Sequence, residues 1–436
     1  MKINPIFYFF IISGISLLTV NYLDIKSLQP NESLKLGENS KLLISDDIDS
    51  SSNKMVSESC NADFKIGNHG FQFSGGMRFD SRKFGDGNVS FATPVIAIDE
   101  NKVWIGGETN KIIVGAFELV FSKSRQVEDM PIAKNIVPFK KVDKLTGWET
   151  HKRLSGIDKV QDNILIGLTE YYDAMGDAPF SHAVLDKDLN LSGWYKTDAV
   201  QIAHTSGWIQ ALPEKWSQLL NATHLMGNTE NYPIARRHSN GPSLYLWDGN
   251  ISATMQVTPK LYYTLQKPLH ELRYNREDVL FTPLLRKTLP KTVGNNDLWT
   301  VESQAWGGFV RGDDYIVFGA SGMHHSSGGY KITDKDGNKC GGPCAYDPND
   351  YYNYYWVYNM YDILNARYPW DPKPYEWGKL KLGFAEELIY GSNANGLIKG
   401  VDYDGTYLYL TLKNGDTSRT SQRLPLLLRY QICNVK

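Results

Sequence analysis

The sequence lacks most of the features that tie a chain to a particular chemistry. Neither sign of charge is in excess, since 46 Lys and Arg face 48 Asp and Glu for a net charge of -2. That balance gives no electrostatic footprint for nucleic acid or an anionic membrane surface. No apolar run reaches the roughly 20 residues of a full membrane span. Cysteine is scarce, with four in 436 residues. There is no phosphate-cradling glycine loop, no dinucleotide fingerprint and no H-E-x-x-H helix. The serine elbow G-x-S-x-G is missing too, for GASGMHHSSGG from Gly319 does not match it. Long amphipathic helical patterns are absent, which argues against a helix bundle. No cofactor and no metal is expected.

What is present is aromatic and rich in turns: 26 Tyr and 11 Trp stand beside 38 Gly and 19 Pro, the composition of a β-rich chain. At the N-terminus Lys2 precedes an apolar run from Ile6 to Val20, broken only by Ser13, Gly14, Ser16 and Thr19. This reads as an export signal over residues 1–23. No small-residue cleavage site follows it, which favours a retained anchor over a cleaved peptide, and either form places the bulk of the chain outside the cytoplasm. Contact with a membrane is expected only through this segment. Residues 24–59 contain no aromatic side chain and are crowded with Ser, Asn, Asp, Glu and Lys. Such a stretch cannot bury enough apolar surface to offset its ordering entropy, so it reads as a polar linker. The folded domain is expected over 60–436.

An exported chain with an even number of cysteines favours disulfides. Three pairings of Cys60, Cys340, Cys344 and Cys433 are open. The expected set is Cys60 with Cys433, which spans the whole domain, and Cys340 with Cys344 across the turn CGGPC. A zinc site recruiting Cys340 and Cys344 is the weaker reading, because C-x3-C is an unspecific spacing.

Strand signals with a polar turn in front recur as DENKVWIGGE (99–108), QDNILIGLTE (161–170), GDDYIVFGAS (312–321) and YDGTYLYLTL (403–412). Their shared form suggests equivalent strands of successive sheets. Between them lie VIAID, SHAVLD, PSLYLWD, YYWVYNMYD and LPLLLRYQI, several ending in the Asp of a turn. Many short antiparallel strands narrow the fold to a sandwich, a solenoid or a propeller, and the length favours the last. The expected fold is therefore an all-β propeller of five to seven blades. Its ring is expected to be closed by pairing of N- and C-terminal strands, with Phe64 to Phe73 joining the blade that holds Tyr407 to Ile432.

Two stretches carry a family likeness. One runs from Ser206 to Asp248 and contains GWIQALPEKW and IARRHSNGPSLYLWD; the other runs from Tyr315 to Leu412 and contains FGASG, YWVYNMYDIL, YPWDPKPYEW and GVDYDGTYLYLTL. Over about half of the folded chain the sequence resembles uncharacterised exported bacterial β-propeller proteins. The resemblance implies the fold and no activity.

Candidate chemistry sits on three segments. Arg236, Arg237, His238 and Asn240 precede the Gly241-Pro242 turn; Arg could clamp an anion bidentately and His could act as a base. The alternative is a solvated turn. His324 and His325 follow the strand YIVFGA on a Gly/Ser-rich loop of the kind that faces a propeller funnel. His204 precedes the strand carrying Trp208; lone histidines of this kind are more often structural. DKDGN at 334–338 superficially suggests a calcium loop, but it lacks the later acidic ligand, and DKDLN at 186–190 repeats the pattern as a plain turn. The aromatic run from Tyr346 to Ile363 reads as core packing, with stacking on sugar rings as the alternative.

The expected function is recognition of an extracellular carbohydrate or similar polar polymer at the funnel. In a cleaving version Arg237 neutralises an acidic sugar, His238 or His325 is the base, and Tyr330 protonates the leaving oxygen, with His204, Arg236, Asn240 and His324 as binding residues. The alternative is a noncatalytic, membrane-tethered binding module. Oligomeric state is not legible in the sequence.

Overall fold

Short runs of β-branched and aromatic residues, each bounded by a polar turn, become short antiparallel strands. A computed structural model describes residues 61–109, 111–142, 152–170, 178–199, 202–229, 241–263, 298, 300, 302–326, 328–341, 343–391 and 394–434. All lie in the unit from Val56 to Lys436.

The first strands of the described chain are β1 (Phe64–Ile66) and β2 (His69–Phe79). The first blade comprises β3 (Ile96–Asp99), β4 (Lys102–Gly106), β5 (Ile113–Glu118) and β7 (Asn135–Lys141), while the short β6 (Ile132–Ala133) pairs with β2. The second blade is β8 (Lys152–Val160), β9 (Asn163–Glu170), β10 (His182–Leu185) and β11 (Leu191–Thr197), extended by β15 (Thr254–Met255). The third is β12 (Ile209–Ala211), β13 (His224–Met226), β14 (Leu244–Trp247) and β16 (Val257–Leu261), with helix α1 (Glu214–Leu220) between its first two strands. In the fourth, β17 (Gln304–Arg311), β18 (Asp314–Gly322), β21 (Tyr351–Asn359) and β22 (Glu376–Leu380) pair in order. Its β18–β21 connection carries the hairpin β19 (Gly328–Tyr330) and β20 (Pro343–Ala345), and helix α2 (Met360–Asn365) follows β21. The last blade joins β23 (Ile398–Tyr403), β24 (Tyr407–Leu412) and β25 (Leu426–Asn434) to β2 and β1.

Among the described residues the chain is thus all-β with five propeller-like blades. The innermost strands β3, β8, β12, β17 and β23 pack on one another in cyclic order. The strands read from the recurring turn-strand signal are β4, β9, β18 and β24, each second from the centre of its blade. They are equivalent positions, as their shared form implied. The third blade hides its counterpart because β13 has only three residues and follows α1.

Closure of the ring by the chain ends is corrected. β2 does pair with β25, from His69 opposite Asn434 to Arg78 opposite Leu426. That sheet is nevertheless an open path from β1 to β23, with an edge at each end. The pairing stitches both ends of the chain into one blade and closes no sheet; side-chain packing between separate sheets holds the inner strands in their cycle.

The apolar core follows the blade interfaces. Phe79, Phe117, Val103 and Leu427 pack between the first and last blades, and Leu165, Val184, Met226, Tyr245 and Trp247 between the second and third. Trp216, Leu246, Tyr354, Trp356 and Tyr358 join the third to the fourth. Each of these large rings buries about 150–250 Å², so the aromatic run in β21 serves as packing. Trp216 donates its Nε1–H to the Gly312 carbonyl at 2.7 Å, which satisfies the one polar atom such a ring carries inward.

Cys340 and Cys344 form a disulfide, so neither is a thiolate ligand for zinc. Cys433 is also disulfide-bonded; Cys60, its expected partner, lies outside the described residues, as does the N-terminal segment. Among the described residues no helix is long and apolar enough to cross a membrane.

Candidate ligand-binding cleft

Three of the inner strands carry a β-bulge near their starts, and each bulged residue is followed by glycine. The pairing register slips between Leu154 and Gly156 in β8, between Ala305 and Gly307 in β17, and between Ile398 and Gly400 in β23. The bulged residues are Ser155, Trp306 and Lys399. A bulge leaves one residue out of the ladder and re-aims its side chain. The glycine behind it allows the next inner strand to come close: a Cβ on Gly156 would lie 1.5 Å from the Gly207 carbonyl oxygen, and one on Gly400 2.2 Å from that of Pro94. On Gly307 it would meet Val401 at 2.4 Å.

These devices build a cleft of about 180 Å³ where the inner strands begin. Thr93 and Pro94 enter from the lead to β3, Arg153 and Leu154 from β8, Gln304 and Trp306 from β17, Lys399 from β23, and Lys413 from just beyond β24. Lys399 donates to Gln304 Oε1 at 2.5 Å and sits 4.3 Å above the Trp306 ring. Trp306 is 8% exposed, and its Nε1 has no hydrogen-bond partner among the described residues. Burial first, then the charges of Arg153 and Arg423, hold the Lys413 ammonium below the usual lysine range. Three cations therefore share the cleft, and among the described residues lining it there is no carboxylate.

Toward the other ends of the inner strands the polar groups are acidic. Asp402 accepts from Ile98 N of β3 at 2.5 Å and from Tyr403 N at 2.7 Å. Asp158 accepts from the backbone of Lys159 and of Ile209 in β12. Each carboxylate thus ties its own inner strand to a neighbouring one. Burial pushes both upward, Asp402 to about 6 and Asp158 well above its ordinary value, where the Asp402 charge adds to the effect. Gln210 Nε2 donates to the Tyr403 carbonyl at 2.9 Å, linking β12 to β23. Asp99 is held low instead: burial opposes its charge, but bonds from Lys159, Trp104 and Lys102 outweigh that cost.

The described histidines singled out from sequence lie apart from this cleft. His204 is buried, with Nδ1 2.9 Å from Tyr245 Oη and its ring against Tyr262. His324 is buried in the β18–β21 connection, stacked on Tyr354 with Nε2 2.6 Å from Ser321 Oγ. The neighbouring His325 meets Lys379 Nζ at 2.6 Å, and its backbone N–H donates to Asp350. Tyr330 stands opposite Pro343 in the β19–β20 hairpin. His324, His325 and Tyr330 therefore share one connection of the fourth blade, while His204 belongs to the third; neither His204, His324 nor His325 lines the cleft. Arg236, Arg237, His238 and Asn240 lie outside the described residues. The two acidic loops are the same turn: Asp334 Oδ1 accepts from Asp336 N and Asn338 N, as Asp186 Oδ1 does from Asp188 N and Asn190 N.

Sequence reasoning missed Arg153, Trp306, Lys399 and Lys413. The available signal was the repetition of a bulge residue followed by glycine in SGID, WGGF and KGVD.

Neither a family model nor a curated protein matches the sequence. Solved bacterial structures are similar to it at low identity. A provisionally assigned exo-β-1,3-galactanase from Bifidobacterium bifidum is 9% identical over 84% of this chain and 95% of its own, with a TM-score of 0.41. A member of the DUF4221 family from Bacteroides vulgatus is 10% identical over 85% of this chain and 100% of its own, with a TM-score of 0.33. A provisionally assigned hydrolase from Bacteroides ovatus is 9% identical over 80% and 87%, with a TM-score of 0.31. At these identities none of the three assigns an activity to this chain.

Proposed function

We propose that the protein recognises a carbohydrate or similar polar polymer outside the cytoplasm, and that the cleft at the start of the inner strands is where it binds. The observation that carries this reading is convergence: side chains from four of the five blades meet in one polar cleft with a buried indole in its wall. An extracytoplasmic setting fits the apolar N-terminal run and the bonded cysteines, since disulfides persist in oxidising compartments. Recognition without bond cleavage is the form proposed, with lysis or hydrolysis as the alternative that the test separates from it.

The test is affinity electrophoresis and calorimetry of the purified protein against neutral and acidic polysaccharides, with new reducing or unsaturated ends measured in parallel. Binding weakened by Gln304→Ala or Lys399→Met, with no new chain ends, is the expected result. Absence of binding across the panel refutes the reading, and new chain ends made by the native protein refute its noncatalytic part.

A further inference from the structure

We infer that the protein carries a second binding site, for one neutral sugar unit, in a groove at the opposite end of the inner strands from the cleft. This site stands apart from the cleft reading and does not require it.

The groove lies on the seam between the second and third blades and has a volume of about 460 Å³, within the roughly 300–1,000 Å³ of small-molecule sites. Gln161 and Asn163 enter it from the β8–β9 turn and the start of β9, Ser192 and Tyr195 from β11, and Asp248 and Asn250 from the connection between β14 and β15. Val184 and Ile251 supply its apolar part. Tyr195 and Ile251 also pack on the cluster that joins the two blades, so the groove has a firm floor.

The fold leaves the polar groups of this groove unengaged. Among the described residues nothing bonds the side-chain amides of Gln161, Asn163 and Asn250 or the hydroxyls of Ser192 and Tyr195. Asp248 Oδ1 accepts from Asn250 N at 2.9 Å, while its Oδ2 has no partner among the described residues. Trp247 Nε1 donates to the Asn250 carbonyl at 3.2 Å, so the turn presenting both residues is set before a ligand arrives. Each amide offers two donors and an acceptor, each hydroxyl donates and accepts, and the carboxylate accepts. That set matches neighbouring sugar hydroxyls, which also donate and accept. The described residues lining the groove include no lysine, arginine or histidine, so a phosphate or carboxylate would find no counter-charge there. Tyr195 adds a ring with an apolar body and a polar tip for the sugar to lie against.

Two positions mark the groove further. Gln161 has φ 56°, in the left-handed region that glycine enters without steric cost. The equivalent turn of the fourth blade uses Gly312, and that of the first uses Glu100, whose charge acts on Lys159. The Gln161 side chain has no such use within the fold. Gly193 makes room for the aromatic ring: a Cβ there would lie 2.8 Å from Tyr195 Oη and 3.0 Å from its Cε2 and Cζ.

The test is saturation-transfer NMR and calorimetry of the full-length protein with the methyl β-glycosides of glucose, galactose and xylose and with methyl α-mannoside. At least one is expected to bind, and Gln161→Gly and Asp248→Asn should each weaken it at least about tenfold. Gly193→Ala should weaken it too, because it displaces the end of the Tyr195 side chain. Asp248→Asn keeps an acceptor for Asn250 N, and Gln161→Gly relieves the turn, so its Tm should equal or exceed the native value. Weaker binding at an undiminished melt is a result that a purely structural Gln161 would not give. Binding unchanged by Gln161→Gly and Asp248→Asn, or no binding of any of the four glycosides, overturns the inference. Binding lost instead with Gln304→Ala puts the sugar in the cleft, which overturns the second site and leaves the proposed function standing.

Discussion

Replacing Gly156 by alanine probes the contact on which the strand ring depends. Gly156 follows the bulge in β8, and a Cβ there would sit 1.5 Å from the Gly207 carbonyl oxygen on the approach to β12. Side-chain carbons ordinarily keep more than about 3 Å from such an atom, so one backbone must retreat by roughly 2 Å. Both flanking strands are pinned: Ser155 Oγ donates to the Ser206 carbonyl at 2.5 Å, and Gly207 N donates to the Gly227 carbonyl at 2.8 Å. Relief by a small local shift is therefore blocked, and the cost should reach or exceed the top of the overpacking range, about 3 kcal/mol. With an unfolding entropy of about 2.1 cal/mol/K per residue over the unit from Val56 to Lys436, that loss lowers Tm by roughly 4 °C. Gly341→Ala is the internal control, since nothing lies within 4 Å of its Cβ position and its φ is not in the left-handed region; it should stay within about 0.5 kcal/mol of native. Parallel calorimetric and urea melts decide the matter. If Gly156→Ala unfolds with the native protein, the close approach of the second and third blades is refuted.

Asp402 should make the fold less stable as pH rises from about 4 to about 6. Its carboxyl is raised from 3.8 to about 6, so the folded state favours the protonated form, and the contribution is complete below the unfolded value and lost above the folded one, by at most about 3 kcal/mol. Asp402→Asn keeps an acceptor for Ile98 N and should flatten that slope in urea melts run at several pH values; an unchanged slope contradicts the assignment. Cys340→Ser with Cys344→Ser opens a loop with a sequence separation of 4, worth about 2 kcal/mol in the chain-entropy model. The expected result is earlier proteolytic cleavage within 331–341 with a global melt lowered by no more than about 3 °C; loss of the whole fold contradicts it.

Four of the five blades were legible in the repeated turn-strand unit, because a second strand is buried on both faces and needs an apolar run, while the count itself stayed at five to seven. Val103, Leu165, Val317 and Leu410 are such positions, each at most 1% exposed. The third blade broke the period because α1 replaces the short hairpin found elsewhere, and Trp216 rather than strand pairing anchors that insertion. Closure was misjudged for a different reason. Pairing of the terminal strands can be read from two apolar runs, but whether it closes anything depends on which edges remain unpaired. The cleft was the least legible part. Lys399 and Arg153 look like any solvated cation until a bulge turns the local strand, and a bulge is visible only when the partner strand supplies the register. The histidines attracted notice as chemically versatile residues, yet His204 and His324 each have an aromatic neighbour and a hydroxyl within bonding distance. Those contacts fix the orientation of each ring within its blade.

The two ends of the inner strands differ in a way that bears on function. At their C-terminal ends β3, β8 and β17 turn back within two residues, Glu100–Asn101, Gln161–Asp162 and Gly312–Asp313. Asp158 and Asp402 bind neighbouring strands at that end, so a change there perturbs the ring itself. At the N-terminal ends two described connections are long: 80–95 leads into β3, and 381–391 with 394–397 leads into β23. Loops of that length on a rigid scaffold are where binding surfaces vary with least damage to the core. The cleft opens on this end, where Trp306 and Lys399 come from bulges of the scaffold and Thr93, Pro94 and Ala394 from the connections. Such a division separates two properties that can be measured independently. If the cleft binds the polymer, the scaffold residues set whether it is held and the connections set which polymer fits. Gln304→Ala and Lys399→Met should therefore weaken binding of every polymer that the protein takes, whereas exchanging 80–95 should change the preferred polymer and leave binding in place.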